Sequence, residues 1–170
     1  MRAVRKSMTE NSATLYLLCG KIGAGKSTLA KQLAARPATL LITEDHWTST
    51  LFAGDLKTIE DYGRLSARLR AAMAPHIVDI LGQGLSVVLD FPANTIRQRT
   101  WMRSLIAEAK VAHELHHLDI PDAICKQRLR QRNASGEHQF QVSDEEFEQF
   151  TAHFVPPAAD EGFDVIVHRP

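Results

Sequence analysis

A chain of 170 residues with 20 basic and 20 acidic side chains carries no net charge, so no global field recruits nucleic acid or a membrane surface. That length suits one domain burying roughly 70% of its unfolded surface, and the two cysteines, Cys19 and Cys125, follow no metal or redox spacing. They read as small apolar fillers in a reducing, cytoplasmic setting. Neither a membrane span nor a secretory leader is expected, because the basic start Met1–Lys6 is followed by a polar stretch and an apolar run of only about five residues.

Residues 1–13 are expected to form a flexible arm and residues 14–170 the domain. The first predicted strand is Leu15-Tyr16-Leu17-Leu18-Cys19. It runs into Gly20-Lys21-Ile22-Gly23-Ala24-Gly25-Lys26-Ser27-Thr28, and a helical pattern, Leu29 to Ala34, follows. Strand, glycine-rich turn and helix form the context in which G-x-x-x-x-G-K-[ST] cradles phosphates. The glycines let the main chain curl with its N–H groups turned inward, and the helix start adds about half a positive charge. Lys26 can reach the outer phosphates, and the Ser27 hydroxyl can ligate a magnesium ion. This stretch alone points to nucleoside triphosphate binding.

Arg36-Pro37 breaks the helix, and Thr39-Leu40-Leu41-Ile42 reads as a second buried strand, with the polar segment Thr43 to Trp47 leaving its carboxyl end. A long helical pattern spans Ile59 to Leu81, capped by Thr58 and Asp61, and Pro75 is expected to kink or divide it. Leu85 to Leu89 forms a third strand closed by Asp90. Thr95 and Gln98 make a capping box for a helix to about Lys110. Val111 to Asp119 holds a fourth strand, and Pro121-Asp122 opens a helix through Arg132. After a polar loop, Ser143 and Glu146 cap a helix to about His153, Pro156-Pro157 breaks the chain, and Phe163 to Val167 is a fifth strand. Apolar strands alternating with helices predict a parallel α/β sheet covered on both faces. Ligands bind beyond the carboxyl ends of such strands, which gathers Gly20–Ser27, Asp45, Asp90 and the residues after Asp119 at one rim.

Phosphoryl transfer needs gripped phosphates, a cation and a group that aligns the attacking oxygen. Asp90 stands where it can hold Mg²⁺ through a water; capping the next helix is the competing role, for which Thr95 is better placed. Asp45 lies past the second strand beside His46, Trp47 and Phe52. An ionised carboxylate there can orient a substrate hydroxyl and accept its proton, a task for which Glu44 and His46 compete. Arg128, Arg130 and Arg132 precede the polar loop, so residues 128–142 read as a lid over the triphosphate. Arg97 and Arg99 either bind the acceptor or face water. His113, His116 and His117 make no metal site, since His116 and His117 point to opposite faces of a strand. Aromatic side chains are few and not interleaved with a basic stripe, so no nucleic-acid platform is expected.

The chain resembles the small P-loop kinases of the zeta-toxin, chloramphenicol phosphotransferase and polynucleotide-kinase group, often grouped as AAA-family ATP-binding proteins. The resemblance rests on Cys19 to Leu29, Asp45, Val87-Val88-Leu89-Asp90-Phe91, Asn94, Arg97, Arg99, Leu118-Asp119 and Arg128-Leu129-x-x-Arg132-Asn133. It continues in Gly136-x-His138-x-Phe140, in Phe154-x-Pro156-Pro157 and in Glu161-Gly162-Phe163. It implies a three-layer sandwich with the cradle strand central, ATP with Mg²⁺, and transfer to a hydroxyl. It further implies that Asp45 activates the acceptor, that Arg128 and Arg132 belong to the lid, and that adenine lies near Arg128 and the residues after the fifth strand. A guanine-reading N-K-x-D and the transporter signature L-S-G-G-Q are both absent. The expected acceptor is a sugar, nucleoside or antibiotic-like small molecule, with Trp47 and Arg97 on its side of the site. A nucleic-acid 5′-hydroxyl kinase and an ATP-binding protein with little transfer activity are the alternatives, and monomer and dimer both stay open.

Overall fold

The computed structural model describes residues 13–55, 58–135 and 141–170. Five strands, β1 (Thr14–Gly20), β2 (Thr39–Thr43), β3 (Ser86–Pro92), β4 (Ala112–Leu118) and β5 (Val165–His168), pair in parallel in the order β2-β3-β1-β4-β5. Six helices alternate with them: α1 (Lys26–Ala34), α2 (Glu44–Leu51), α3 (Ile59–Gly82), α4 (Ile96–Ala109), α5 (Asp122–Ser135) and α6 (Asp144–Thr151). This is the three-layer α/β sandwich expected from the sequence, with the cradle strand β1 at the centre.

Alternation along β1 divides its side chains between two cores. Leu15, Leu17 and Cys19 pack with Val87, Leu89 and Leu115 against Leu69, Ile77 and Leu81 of α3 and Met102, Leu105 and Ile106 of α4. Tyr16 and Leu18 pack with Val88 against Ala30 and Leu33 of α1. Each such leucine, fully removed from water, contributes roughly 1.5–3 kcal/mol. A third cluster joins Ala24 and Leu118 to Cys125 and Leu129 of α5 and Phe147 of α6, so α5 rests directly on the glycine-rich turn.

Local signals set most element ends. Thr58 accepts from the Asp61 N–H, and reciprocal capping boxes at Thr95/Gln98 and Ser143/Glu146 start α4 and α6. Several boundaries differ from expectation. The polar segment after β2, given no element from the sequence, is helical: Glu44 and Asp45 form the first turn of α2, where carboxylates favour the positive helix end. Pro75 does not divide α3, which runs as one 24-residue helix. β2 is an edge strand, with Leu40 and Leu41 exposed rather than buried. Ala13, expected in the arm, is buried in the core. Asp90 lies within β3 rather than closing it, and α5 continues past Arg132 to Ser135. Residues 1–12 of the predicted arm and 136–140 of the predicted lid lie outside the described residues. Among the described residues, no helix is long and apolar enough to cross a membrane.

Arg99 neither faces water nor waits for an acceptor. Its side chain is fully buried and pairs with Glu161, Nε to Oε2 at 2.6 Å and Nη2 to Oε1 at 2.8 Å. Nη1 also donates to the carbonyls of Ala93 (2.9 Å) and Val155 (2.8 Å), which pins the segment after α6 to the end of β3. The hydrogen bond from Arg99 holds the Glu161 carboxyl below its usual range. A carboxyl depressed in the folded state stabilises above its ordinary pKa, and that contribution is lost as pH falls through the folded value. Glu161→Ala leaves a buried guanidinium unpaired and should cost about 3–5 kcal/mol in urea unfolding at neutral pH. The gap to the parent should narrow on acidification through the carboxylate range; a gap independent of pH contradicts this account.

Candidate active site

The turn between β1 and α1 takes its shape from backbone that only glycine adopts without strain. Gly23 has φ +80°, and a Cβ there would stand 2.7 Å from the Cys125 carbonyl oxygen of α5. Gly25, at φ +104°, occupies the N-cap of α1. Ile22 and Ala24 pack into the cluster beneath α5. The Gly20 N–H donates to Asn94 Oδ1 at 2.9 Å, which ties the start of the turn to the end of β3. Lys21 pairs with Asp122 at the start of α5. Lys26 Nζ donates to the carbonyls of Gly20 (2.6 Å) and Lys21 (3.0 Å), so the ammonium lies over the turn itself. Burial pushes Lys26 below its usual range, and the Asp90 carboxylate opposes that shift most strongly.

Asp90 reaches this group through a defect in the sheet. Leu17 pairs with Leu89 but Leu18 pairs with Pro92, so Asp90 and Phe91 fall outside the β1–β3 register while Asp90 stays paired with Thr43 of β2. Burial raises the Asp90 carboxyl, a hydrogen bond from Ser27 lowers it, and the charges of Asp45 and Lys26 act on it in opposite directions. Ser27 and Thr28 are exposed at the start of α1. A hydroxyl bonded to a carboxylate whose charge is disfavoured by burial is a hard-oxygen donor set suited to Mg²⁺. Ser27 and Asp90 therefore fit that ion.

Asp45 is exposed on the first turn of α2 and acts electrostatically on both Lys26 and Asp90. Trp47, also on α2, is 39% exposed, and Arg97 is exposed on the first turn of α4. Glu44, the competing base, is spent elsewhere. It is fully buried and accepts from Tyr62 Oη at 2.8 Å and Arg70 Nη2 at 2.9 Å.

Arg128 and Arg130 of α5 turn to different partners. Arg128 Nη1 donates to the Ala24 carbonyl at 2.9 Å, whereas exposed Arg130 turns to Asp144 of α6. Arg132, one turn beyond Arg128, is half-buried. On the α1 face, Gly25, Thr28, Gln32, Leu118, Arg128 and His168 border a cleft of about 320 Å³. A second cleft of about 270 Å³ lies beside Lys21 and the end of β4, lined by His117, Asp119 and Phe154. Among the described residues, no group of three or more His, Cys, Asp or Glu side chains is placed to hold a metal.

A family profile described as an AAA domain matches residues 15–157, which takes in the turn, both rim acids and the arginines of α5. The chain belongs to that AAA-domain family. Solved structures share its fold. A candidate kinase of Chloroflexus aurantiacus j-10-fl superposes with TM-score 0.72 at 19% identity, covering 95% of this chain and 87% of that one. A sugar kinase of Janibacter sp. HTCC2649 gives 0.61 at 19% identity, with 93% and 85% covered. The Mycobacterium tuberculosis APS kinase CysC, solved with AMPPNP and APS, gives 0.59 at 18% identity, with 94% and 89% covered. No curated protein sequence matches the chain. The AAA-domain chain thus has the kinase-like P-loop fold.

Two functional contacts escape sequence reasoning. Asn94 carries no motif that announces a bond to Gly20, and the buried Tyr62–Glu44–Arg70 group joins residues up to 26 positions apart. Only the adjacency of Glu44 and Asp45 hints that one of them needs a partner. Burial raises the Glu44 carboxyl despite Arg70 and Tyr62, which lower it. A carboxyl raised in the folded state costs stability at neutral pH, and the cost is relieved as pH falls through the folded value. Arg70→Met should therefore lose about 3 kcal/mol at neutral pH and recover part of it on acidification, starting above the ordinary carboxylate range. Urea unfolding across pH tests this; no recovery on acidification rules it out.

Proposed function

We propose that the chain transfers the γ-phosphoryl of ATP to a hydroxyl of a small molecule. The observation that carries this reading is the meeting of four residues at the carboxyl ends of β1, β2 and β3: Lys26, Asp90 and Asp45 lie close enough for their charges to act on one another, and Ser27 is bonded to Asp90. Inward N–H groups of the turn and the start of α1 grip the triphosphate. Lys26 moves from the Gly20 and Lys21 carbonyls to the outer phosphates. Ser27, and Asp90 through a water, would hold magnesium, which neutralises charge on the transferring group when bound.

Asp45 orients the acceptor hydroxyl and takes its proton as the new O–P bond forms and the bond to the β-phosphate oxygen breaks. Its exposure leaves it open to an acceptor, whereas the paired carboxylate of Glu44 is not. Arg128, already bonded to the turn, and Arg132 supply positive charge over the phosphates. Exposed Trp47 and Arg97 stand on the acceptor side. The base lies in the cleft beside Arg128, and residues 14–170 act as one unit. A small acceptor is favoured over an oligonucleotide because the chain has no net charge.

A ³²P-ATP transfer screen over sugars, nucleosides, aminoglycosides and 5′-hydroxyl oligonucleotides tests the reading. Lys26→Ala should abolish turnover. Asp45→Asn should keep ATP affinity near that of the parent while transfer falls roughly 10²–10⁴-fold; unchanged transfer ends the assignment of Asp45 as base. If Arg128→Ala and Arg132→Ala both leave turnover intact, the arginines have no part in the chemistry. Labelling of the oligonucleotide alone, weakening steeply with salt, favours the nucleic-acid kinase instead.

A further inference from the structure

The cleft on the α1 face has a polar wall that the chemistry above does not use. His168, half-buried at the end of β5, borders it beside Arg128. Behind His168 lies His116 of β4, only 4% exposed, with Nδ1 2.9 Å from His168 Nε2. The other ring nitrogen, His116 Nε2, is 3.1 Å from Glu114 Oε2. Glu114, His116 and Leu118 alternate to one face of β4, and Leu118 borders the cleft. A row of polar groups thus leads from the middle of the sheet to the wall of the cleft.

Proton bookkeeping gives this row a direction. An ionised carboxylate only accepts, so His116 Nε2 carries hydrogen toward Glu114. Burial pushes His116 below its usual range against the pull of Glu114, which favours a single proton on the ring. His116 Nδ1 then accepts, and His168 Nε2 donates to it. With its one hydrogen on Nε2 given to His116, the other ring nitrogen of His168, Nδ1, is an acceptor. Gln32 across the cleft can flip its amide to present either polarity and so selects nothing. A histidine with a dictated tautomer does select.

We propose that Glu114, His116 and His168 form a base-reading relay in which His168 accepts a hydrogen bond from the exocyclic amino group of an adenine and disfavours the oxo group of a guanine. Adenine presents a donor at that position and guanine an acceptor. His168 is the specificity-determining residue; His116 and Glu114 are positioning residues that set its polarity. The inference rests on the nucleotide-binding reading above and deepens it.

Titration calorimetry of the full chain with ATP, GTP and ITP, without any acceptor, tests the relay. ITP carries the oxo group of guanine and lacks its amino group, so it should behave as GTP does. The parent should favour ATP over both by roughly tenfold, the consequence of one made against one unmade hydrogen bond. His168→Phe keeps a ring but no acceptor, and Glu114→Gln, at a partly exposed position, no longer dictates which way the protons run. Both variants should bring the three affinities together. The ratio is the readout because a merely structural loss would weaken all three nucleotides alike. A parent without preference, or a preference unchanged in both variants, overturns the relay while leaving phosphoryl transfer standing. Failure to bind any nucleotide overturns both.

Discussion

The contact between Gly23 and the Cys125 carbonyl governs the geometry of this molecule, because it forces the turn after β1 to lie flat beneath α5. A side chain at that position would meet main chain, which has nowhere to retreat. Held so, the turn presents its N–H groups and the start of α1 to the same space. Arg128 closes the arrangement from α5 by bonding to Ala24, one turn of helix beyond the contact. The proposed phosphate cradle is thus built from three elements pressed together, although its signature sits in nine consecutive residues.

The structure sorts the rim's carboxylates by burial. Glu44 is taken inside and satisfied by Tyr62 and Arg70; its neighbour Asp45, one position on, stays outside. Successive residues on a helix point about 100° apart, so the same turn delivers one carboxylate to the core and the other to solvent. Asp90 is partly buried beside them and balanced by Lys26 and Ser27.

Arg99 and Glu161 do related work for the tail of the fold. The segment after α6 has no regular structure through Pro156-Pro157, yet it crosses the end of β3 and borders the second cleft. The buried guanidinium satisfies the carbonyls there that no strand would. Val155 adds its own bond, N–H to the Asn94 carbonyl at 2.9 Å. Asn94 thereby links two parts of the site, with its side chain on Gly20 and its carbonyl on Val155.

The alternation of apolar runs with capped helical patterns made the layered sheet legible in advance, and the glycine-rich turn made the phosphate cradle legible, because both are short-range features. Thr95 with Gln98 and Ser143 with Glu146 could be read for the same reason. What depends on strand order was not readable. Leu40 and Leu41 look like core in the sequence and are exposed because β2 lies at the sheet edge. Arg99 looks like surface and is buried because Glu161, 62 positions away, meets it. His116 and His168 are unremarkable until β4 and β5 pair. The sequence by itself determined the strands, most of the helices, their parallel arrangement and the glycine-rich turn, since neighbouring residues dictate backbone shape. The tertiary structure alone decided which charges are spent on one another and which are left to face a ligand, since that balance is set by side chains brought together from distant parts of the chain.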